Sequence, residues 1–245
     1  MYKLLNGDCL ELMSKIPYKS IDAVICDLPY GTTKCSWDII IPFDKLWEQY
    51  NRIVKDNGAI VLFGTEPFST KLRCSNIKNY KYDWIWCKNI KTNFVHAKRQ
   101  PLRQYENIVV FYNKQCTYNP QKTQGHIPTQ KATNCSNGNL YYESKRDYVG
   151  GNTDRYPSNI ISFDVVDIKK REHPTQKPID LIEYLIKTYT NEGDLILDNC
   201  MGSGSTGVAS LNLNRNFIGI ELDKNYFNIA KDRIESIEKD KIINT

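Results

Sequence analysis

Asp27, Leu28, Pro29 and Tyr30 follow a short apolar run, Ala23 to Cys26, and stand directly before Gly31. An apolar run of that length, bounded by Pro and Gly, reads as a buried strand ending in a turn. Open α/β sheets take their ligands in the crevice outside the carboxyl ends of strands, so an acid and an aromatic ring here face such a crevice. Asp27 offers acceptor oxygens, Pro29 fixes the backbone, and Tyr30 supplies a flat face. Together they suit a planar group with an amino substituent, such as a nucleobase. The same string also serves as an ordinary strand-exit turn, so the remaining motifs must decide between the two.

Strand and helix patterns alternate along most of the chain. Tyr2 to Leu5 reads as a strand, followed by a turn in which Asp8 caps a helix whose Leu10, Leu12, Met13 and Ile16 face a core. Phe43 to Val54 reads as an amphipathic helix through Phe43, Leu46, Trp47, Tyr50 and Val54, ended near Asn57 and Gly58, and Ala59 to Phe63 as a buried strand. Between the Asp27 turn and that helix, Gly31 to Pro42 is too long for a simple connection; with Thr32, Thr33, Lys34 and Trp37 it reads as a lid or substrate-holding loop. A helix from Pro67 to Cys74 leads to a strand, Tyr82 to Cys87, with Tyr82, Trp84 and Trp86 on one face, and Tyr105 to Tyr112 is another apolar strand.

Charge and composition bear on partners. The 245 residues carry a net charge of +5, too little to argue from alone, but its distribution is uneven. Lys88, Lys91, Lys98, Arg99 and Arg103 lie in a stretch without Asp or Glu, interleaved with Asn89, Asn93, Phe94, His96 and Gln100, a pattern that fits a phosphate backbone. From residue 113 to 157 Gln, Asn, Thr, Lys, Tyr and Gly dominate and apolar periodicity disappears. This insertion reads as either a disordered stretch or a target-recognition element that orders on a partner, in which Tyr118, Tyr141, Tyr142 and Tyr148 could stack or pack; residues 1–112 and 158–245 around it read as one domain. Eight cysteines form no CxxC pair and three histidines have no ligand-like spacing, so reduced thiols and no metal site are expected. No terminal apolar run approaches the ~20 residues of a membrane span, and no signal peptide is recognisable, so a soluble cytoplasmic protein is expected.

The final third carries a second site pattern. After a strand, Asn159 to Phe163, come His173, Pro174, Thr175, Gln176, Lys177 and Pro178, with Pro178 placed to open a helix buried through Leu181, Ile182, Leu185, Ile186 and Tyr189. Thr175 and Lys177 thus stand at a helix entrance, where a carboxylate is readily held. A strand, Asp194 to Leu197, ends at Asp198, and Gly202, Ser203 and Gly204 lead into a helix from Thr206 to Leu213. Glycines there let a ligand approach the backbone. The next strand, Phe217 to Ile220, ends at Glu221, within about 20 residues of the glycine loop, where dinucleotide folds hold ribose hydroxyls. Without a GxGxxG or a Walker Lys, the ligand is a nucleoside that needs no pyrophosphate cradle. A last helix, Asn225 to Ile237, closes the domain.

Gly7, Asp8, Cys9 and Glu11, the Asp27 to Tyr30 turn, the polar insertion, the His173 to Pro178 stretch, the Asp198 to Thr206 loop and Glu221 resemble, in that order, the beta-class amino methyltransferases of DNA. Two departures stand out. Leu28 replaces the first Pro of the family turn, and Asn199 and Cys200 replace the Pro and Phe before the family glycines. The resemblance implies a Rossmann-like α/β fold, a mostly parallel sheet with helices on both faces, in circularly permuted motif order. It implies S-adenosylmethionine as cofactor, without a metal, and double-stranded DNA with a flipped target base as partner; homodimers are common in the family, although no apolar stripe here demands one. Asp8 would then contact the adenine amino group of the cofactor and Glu221 its ribose hydroxyls. Asp198 and the Gly202, Ser203 and Gly204 backbone would follow its methionine part, with Thr175 and Lys177 near its carboxylate and Cys9 beside Asp8. Asp27, Leu28, Pro29 and Tyr30 would form the catalytic turn, and Asp rather than Ser at position 27 points to adenine N6 rather than cytosine N4. A cofactor-binding but catalytically silent DNA-binding protein is the alternative of a different class.

Overall fold

The protein, seen here as a computed structural model, is described for residues 1–32, 35, 38–131 and 150–243. Thr33, Lys34, Trp37, Tyr141, Tyr142 and Tyr148 lie outside the described residues. The chain divides into two compact units, residues 1–119 with 159–245 and residues 120–158.

In the larger unit the elements run β1 (Tyr2–Asn6), α1 (Cys9–Met13), β2 (Ile21–Cys26), α2 (Phe43–Ile53), β3 (Val54–Gly64), α3 (Phe68–Ser75), β4 (Tyr80–Thr92) and β5 (Arg103–Phe111). After the second unit they continue with β6 (Ile160–Ser162), α4 (Ile179–Tyr189), β7 (Leu195–Asp198), α5 (Ser205–Asn212), β8 (Asn216–Glu221) and α6 (Lys224–Ile243). The strands form one sheet in the order β1-β8-β7-β2-β3-β5-β4-β6. β1, β8, β7, β2 and β3 run parallel, β5 is antiparallel to both its neighbours, and β6 is parallel to β4.

Period-two alternation inside the apolar strands explains why both faces are covered. Val24 and Cys26 of β2, Ile60 and Leu62 of β3, and Val109 and Phe111 of β5 pack with Met13, Leu46, Trp47, Tyr50 and Phe68 from α1, α2 and α3. Their neighbours Ile25, Val61, Phe63, Ile108 and Val110 point the other way, onto Leu181, Leu185, Val208, Ala230 and Ile234 from α4, α5 and α6. Strands buried on both sides read as continuous apolar runs, which is why these were legible. Tyr189 of α4 closes a polar gap in that layer by accepting from the indole N–H of Trp84 at 2.6 Å.

Several boundaries differ from those read in the sequence. The second helix stops at Ile53, and the chain enters β3 at once, because Val54 pairs with Ile21. The partner of Ala23 is Ala59, so Asn57 and Gly58 belong to an irregularity inside the strand rather than to a connecting turn. β4 likewise continues through Lys88 to Thr92, which puts the start of the basic stretch in a strand. α4 begins at Ile179, with Pro178 as its N-cap residue.

The smaller unit is described at residues 120–131 and 150–158. Its two segments meet through a bridge between Thr123 and Arg155 and an ion pair between Lys122 and Asp154 at 2.7 Å, with the Lys122 ammonium 4.4 Å from the centre of the Tyr156 ring. Residues 113–119 belong to the larger unit, where Cys116 is buried and the Asn119 amide donates to the carbonyls of Lys187 and Thr190. Among the described residues no helix is long and apolar enough to cross a membrane.

Gly58 has no room for a side chain: a β-carbon there would lie 2.6 Å from Val54 Cγ1 and 2.8 Å from the Asp22 carbonyl oxygen. Gly58→Ala is therefore expected to cost ~1–3 kcal/mol, measured by urea unfolding as a lower midpoint at unchanged slope. A loss below ~0.5 kcal/mol would show that the irregular strand yields freely.

Candidate active site

β7 and β2 are neighbours from opposite ends of the chain. From β2 the chain proceeds to β3 on one side, and from β7 to β8 on the other. Strand order reverses between them, and at such a switch point the helices splay and a crevice opens at the carboxyl ends. Asp27 follows β2 and Asp198 ends β7, so two acids far apart in sequence stand at its mouth. A cavity of ≈ 350 Å³ lies there, lined by the turns after β1, β2 and β7, by Glu221 at the end of β8 and by His173 to Lys177.

One end of the cavity is organised by backbone donors. Asp8 caps α1, its Oδ1 accepting from the N–H groups of Leu10 and Glu11 at 2.8 and 3.1 Å, and Asp8 and Cys9 both line the cavity. The Glu221 carboxylate accepts from Gly202 N–H and from Asp223 N–H, each at 2.8 Å, so it is held rigidly across the entrance of the glycine loop. Burial raises its proton affinity against those two bonds. Asp198 is buried and accepts from Cys200 N–H at 3.1 Å; burial pushes its carboxyl up to about 6, with the nearby Asp27 charge adding to the effect. Asn199 accepts the Tyr50 hydroxyl at 2.6 Å, which ties the glycine loop to α2. Gly202 and Ser203 line the cavity, whereas Gly204 does not: it is the left-handed residue (φ 80°) that starts α5, pressed so close to α6 that a β-carbon would sit 2.9 Å from that of Ala230.

The His173 stretch packs over this loop. The His173 ring meets that of Tyr226 edge-on at 4.2 Å, and its Nδ1 accepts from Thr175 N–H at 3.2 Å. Burial and the Lys177 charge pull the imidazole down to about 4, so it is neutral near pH 7. The Cys26 thiol beneath is pushed up to about 12 by burial and is no nucleophile.

The other end of the cavity holds a chain of buried charges. The Tyr30 hydroxyl lies 2.6 Å from Asp27 Oδ1 and 2.7 Å from Glu106 Oε1. The Lys177 ammonium donates to Asp27 Oδ2 at 2.5 Å and stands 3.2 Å from Glu106 Oε1. Lys88 reaches the other oxygen, Glu106 Oε2, at 2.6 Å. Two carboxylates therefore share one ammonium and one phenol, and the second ammonium belongs to Glu106 alone. Burial would raise both acids. For Glu106 the two lysines outweigh it and pull the carboxyl down to about 2, while Asp27, with burial dominant over Lys177 and with the Glu106 charge beside it, goes up. The Tyr30 ring packs 4.8 Å from that of Phe68, and Leu28 is buried in the core beneath the turn.

Over the turn, Asp38 accepts from Gly31 N–H and Thr32 N–H at 2.9 Å each. Gly31 is in the left-handed region (φ 66°), and a β-carbon there would meet Ile40 at 2.8 Å.

The structure brings Asp8, Cys9, Asp27, Leu28, Pro29, Tyr30, Thr175, Lys177, Asp198, Gly202, Ser203 and Glu221 to one cavity. Two basic residues sit otherwise than the sequence suggested. Lys177 points to Asp27 and Glu106, not to an open helix entrance, because the half-buried Asp27 and the buried Glu106 draw a buried ammonium. Lys88 turns inward to Glu106 rather than outward to a phosphate, because strand alternation in β4 puts it on the site side. Lys91, Lys98 and Arg99 are exposed on the hairpin between β4 and β5, which leaves the sheet at the same carboxyl edge as Asp27, and Arg103 donates to the Glu66 carbonyl at 3.3 Å. Glu106, Asp38 and Tyr226 are site residues that sequence reasoning missed. The signal for Glu106 was an acid in a strand that continues as the apolar run Ile108 to Phe111. Among the described residues no group of three or more His, Cys, Asp or Glu side chains is arranged to hold a metal ion.

Comparison with known proteins agrees with this geometry. Residues 21–232 match the family model described as DNA methylase, and the chain belongs to that family. It is 29% identical over 252 residues to the type II methyltransferase M.HpaI of Haemophilus parainfluenzae, covering 96% of this chain and 74% of that protein. To the DNA adenine methyltransferase YhdJ of Escherichia coli (strain K12) it is 29% identical over 249 residues, covering 95% and 82%. Among solved structures, the M1.HpyAVI–SAM complex matches with a TM-score of 0.66 at 26% identity over 96% of this chain and 99% of that one. The PvuII DNA methyltransferase, described as cytosine-N4-specific, shares the fold with a TM-score of 0.67 at 17% identity, over 99% and 94% of the two chains.

Because the Asp198 carboxyl is raised from 3.8 to about 6 on folding, its ionisation opposes folding: stability is greatest below the unfolded value and is lost as pH rises through that window. Asp198→Asn keeps an acceptor for Cys200 N–H and removes the titration. Its stability relative to the parent is expected to improve from about pH 4 to about pH 7 in urea unfolding; a relative stability that falls over this interval would mean that Asp198 is better satisfied ionised.

Proposed function

We propose that this DNA methylase is a site-specific adenine-N6 methyltransferase that takes its methyl group from S-adenosylmethionine and acts on double-stranded DNA with the target base flipped into the cavity. The observation that carries the reading is the Asp27 turn: a half-buried carboxylate on the cavity wall, braced by Tyr30 and Lys177, at the switch point of the sheet. The residues present fit the cofactor. Glu221, held by two backbone N–H groups, suits ribose hydroxyls, Asp8 an adenine amino group, and the Gly202–Ser203 backbone leaves space for the methionine part. Thr175, which lines the same cavity, would face its carboxylate. When bound, S-adenosylmethionine supplies an electrophilic methyl group on a sulfonium that leaves as a neutral thioether.

The protein's own task follows from the target. An exocyclic amino nitrogen is a poor nucleophile because its lone pair is delocalised into the ring. Asp27 accepting one N–H, and the Leu28 carbonyl the other, stabilise the charge that develops as the nitrogen pyramidalises. Once the methyl is on, the nitrogen must release a proton, and Asp27, with its raised proton affinity, is the acceptor at hand. Tyr30 would stack on the base, its far side supported by Phe68. A base paired in a duplex cannot reach this recessed wall, so it must leave the stack. Holding base and methyl in line supplies much of the remaining rate. Leu28 keeps the turn shaped by packing into the core, where the family has Pro.

Lys91, Lys98, Arg99 and Arg103 on the β4–β5 hairpin are the proposed phosphate contacts; the first three are exposed and Arg103 is partly buried. A second reading is supported by the cytosine-N4-specific neighbour of the same fold: an acceptor pair at Asp27 serves the amino group of either base. Asp rather than Ser at position 27, together with the named adenine specificity of YhdJ, supports adenine.

The test is transfer of labelled methyl from S-adenosylmethionine to unmethylated genomic DNA, followed by digestion to nucleosides and mass spectrometry. N6-methyladenine is expected, falling by ~10³-fold or more in Asp27→Ala with cofactor binding retained. N4-methylcytosine would move the substrate, and cofactor binding without any product would make the protein a silent binder.

A further inference from the structure

Nothing in the chemistry above requires a second carboxylate, yet Glu106 is buried to 3% exposure with both oxygens engaged, one by Lys88 and the other by Lys177 and the Tyr30 hydroxyl. A buried charge of this kind is kept only where it is paired, and replacing the whole set by apolar residues would usually cost nothing in stability. Its arrangement is therefore informative. Lys177 stands between the two acids, closer to Asp27 than to Glu106, and presents N–H donors to Asp27 Oδ2, the oxygen on the side away from Tyr30. Its ammonium also lies 5.0 Å from the centre of the Phe63 ring and 6.0 Å from that of Tyr30, against the surface on which a base would stack.

An N–H donor at a catalytic acceptor, next to the stacking face, occupies the role that the target amino group has to take. We propose that Lys177 is a place-holder for the amino group of the target base, and that Glu106 is a positioning residue that receives the Lys177 ammonium when the base displaces it from Asp27. The proposal rests on the methyltransferase reading above and assigns how its site is kept in order between turnovers. Without Glu106 the displaced ammonium would have no charged partner in a buried site, and entry of the base would be opposed. Without Lys177 two carboxylates would face each other across the Tyr30 hydroxyl. Lys88, whose ion pair among the described residues is with Glu106, keeps that residue ionised and ready. No bond is made or broken in the exchange; a hydrogen bond to Asp27 passes from ammonium to amino group while the ammonium shifts to its second carboxylate.

The groups that face Asp27 are Tyr30 and Cys26 from its own segment, Glu106 from β5, Lys177 from the segment before α4, and Asp198 from β7. Among these, Glu106 and Lys177 act on it with opposite signs, which gives the test its resolving power. The acidic limb of kcat/KM against pH, measured with labelled cofactor and DNA, reports ionisation of Asp27 in the free enzyme. Lys177→Met is expected to move that limb up by ~1 pH unit or more, and Glu106→Gln to move it down, while raising KM for DNA several-fold because the ammonium now stays on Asp27. Should Glu106→Gln fail to fold, Lys88→Met, which alters the less buried cationic partner of Glu106, is expected to move the limb up by less than Lys177→Met. Limbs that stay in place, or that move in the same direction in Lys177→Met and Glu106→Gln, overturn the proposal in an active enzyme. Absence of any product from the parent enzyme overturns the methyltransferase reading instead.

Discussion

Buried charge must be matched, and in this protein one match is shared: a single ammonium, Lys177, stands between Asp27 and Glu106. The sharing is unequal. Glu106 has a second cation in Lys88 and stays ionised down to about 2, whereas Asp27 has only its share of Lys177 and a phenol, and its proton affinity rises. Two carboxylates in one place are thus given different proton affinities by their surroundings, that of Asp27 raised and that of Glu106 lowered. The Tyr30 hydroxyl, within hydrogen-bond reach of both, fixes its ring on the cavity wall.

That arrangement exists because of the sheet. Asp27 comes from β2, Glu106 from β5 and Lys177 from the segment before α4, and only the order β7-β2-β3-β5 brings them within reach. The same order puts Asp198 and Glu221 at the ends of β7 and β8, on the other side of the switch point, so these acids and Asp27 line a single cavity. Residues at the two ends are linked electrostatically, since the Asp27 charge raises Asp198 and the Lys177 charge lowers His173.

How much of this was legible follows from the range of each interaction. Strands covered on both faces are continuous apolar runs, and helices such as α2 and α4 carry their buried stripes at regular spacing, so these elements could be read locally. Asp27, Asp198 and Glu221 were legible because each directly follows or ends such a strand. Glu106 was not, since its meaning depends on Lys88 across the hairpin and on Lys177 far along the chain, and no local pattern encodes either pairing. The same blindness assigned Lys88 to a phosphate and Lys177 to a helix entrance: an isolated basic residue in a sequence gives no sign of the acid it will meet. Local strand chemistry also misled at Asn57 and Gly58, a turn signal that tertiary pairing of Val54 with Ile21 turned into an irregular strand.

The division of labour between the two acids can be observed directly by carbon-13 NMR of the protein labelled at its Asp and Glu carboxyl carbons, with resonances assigned through Asp27→Asn and Glu106→Gln. Asp27 is expected to titrate above the ordinary aspartate value of 3.8, while Glu106 stays ionised to the lowest pH at which the protein remains folded. A Glu106 resonance titrating above its ordinary 4.5, with Asp27 ionised below 3.8, would contradict the charge order on which the site is built.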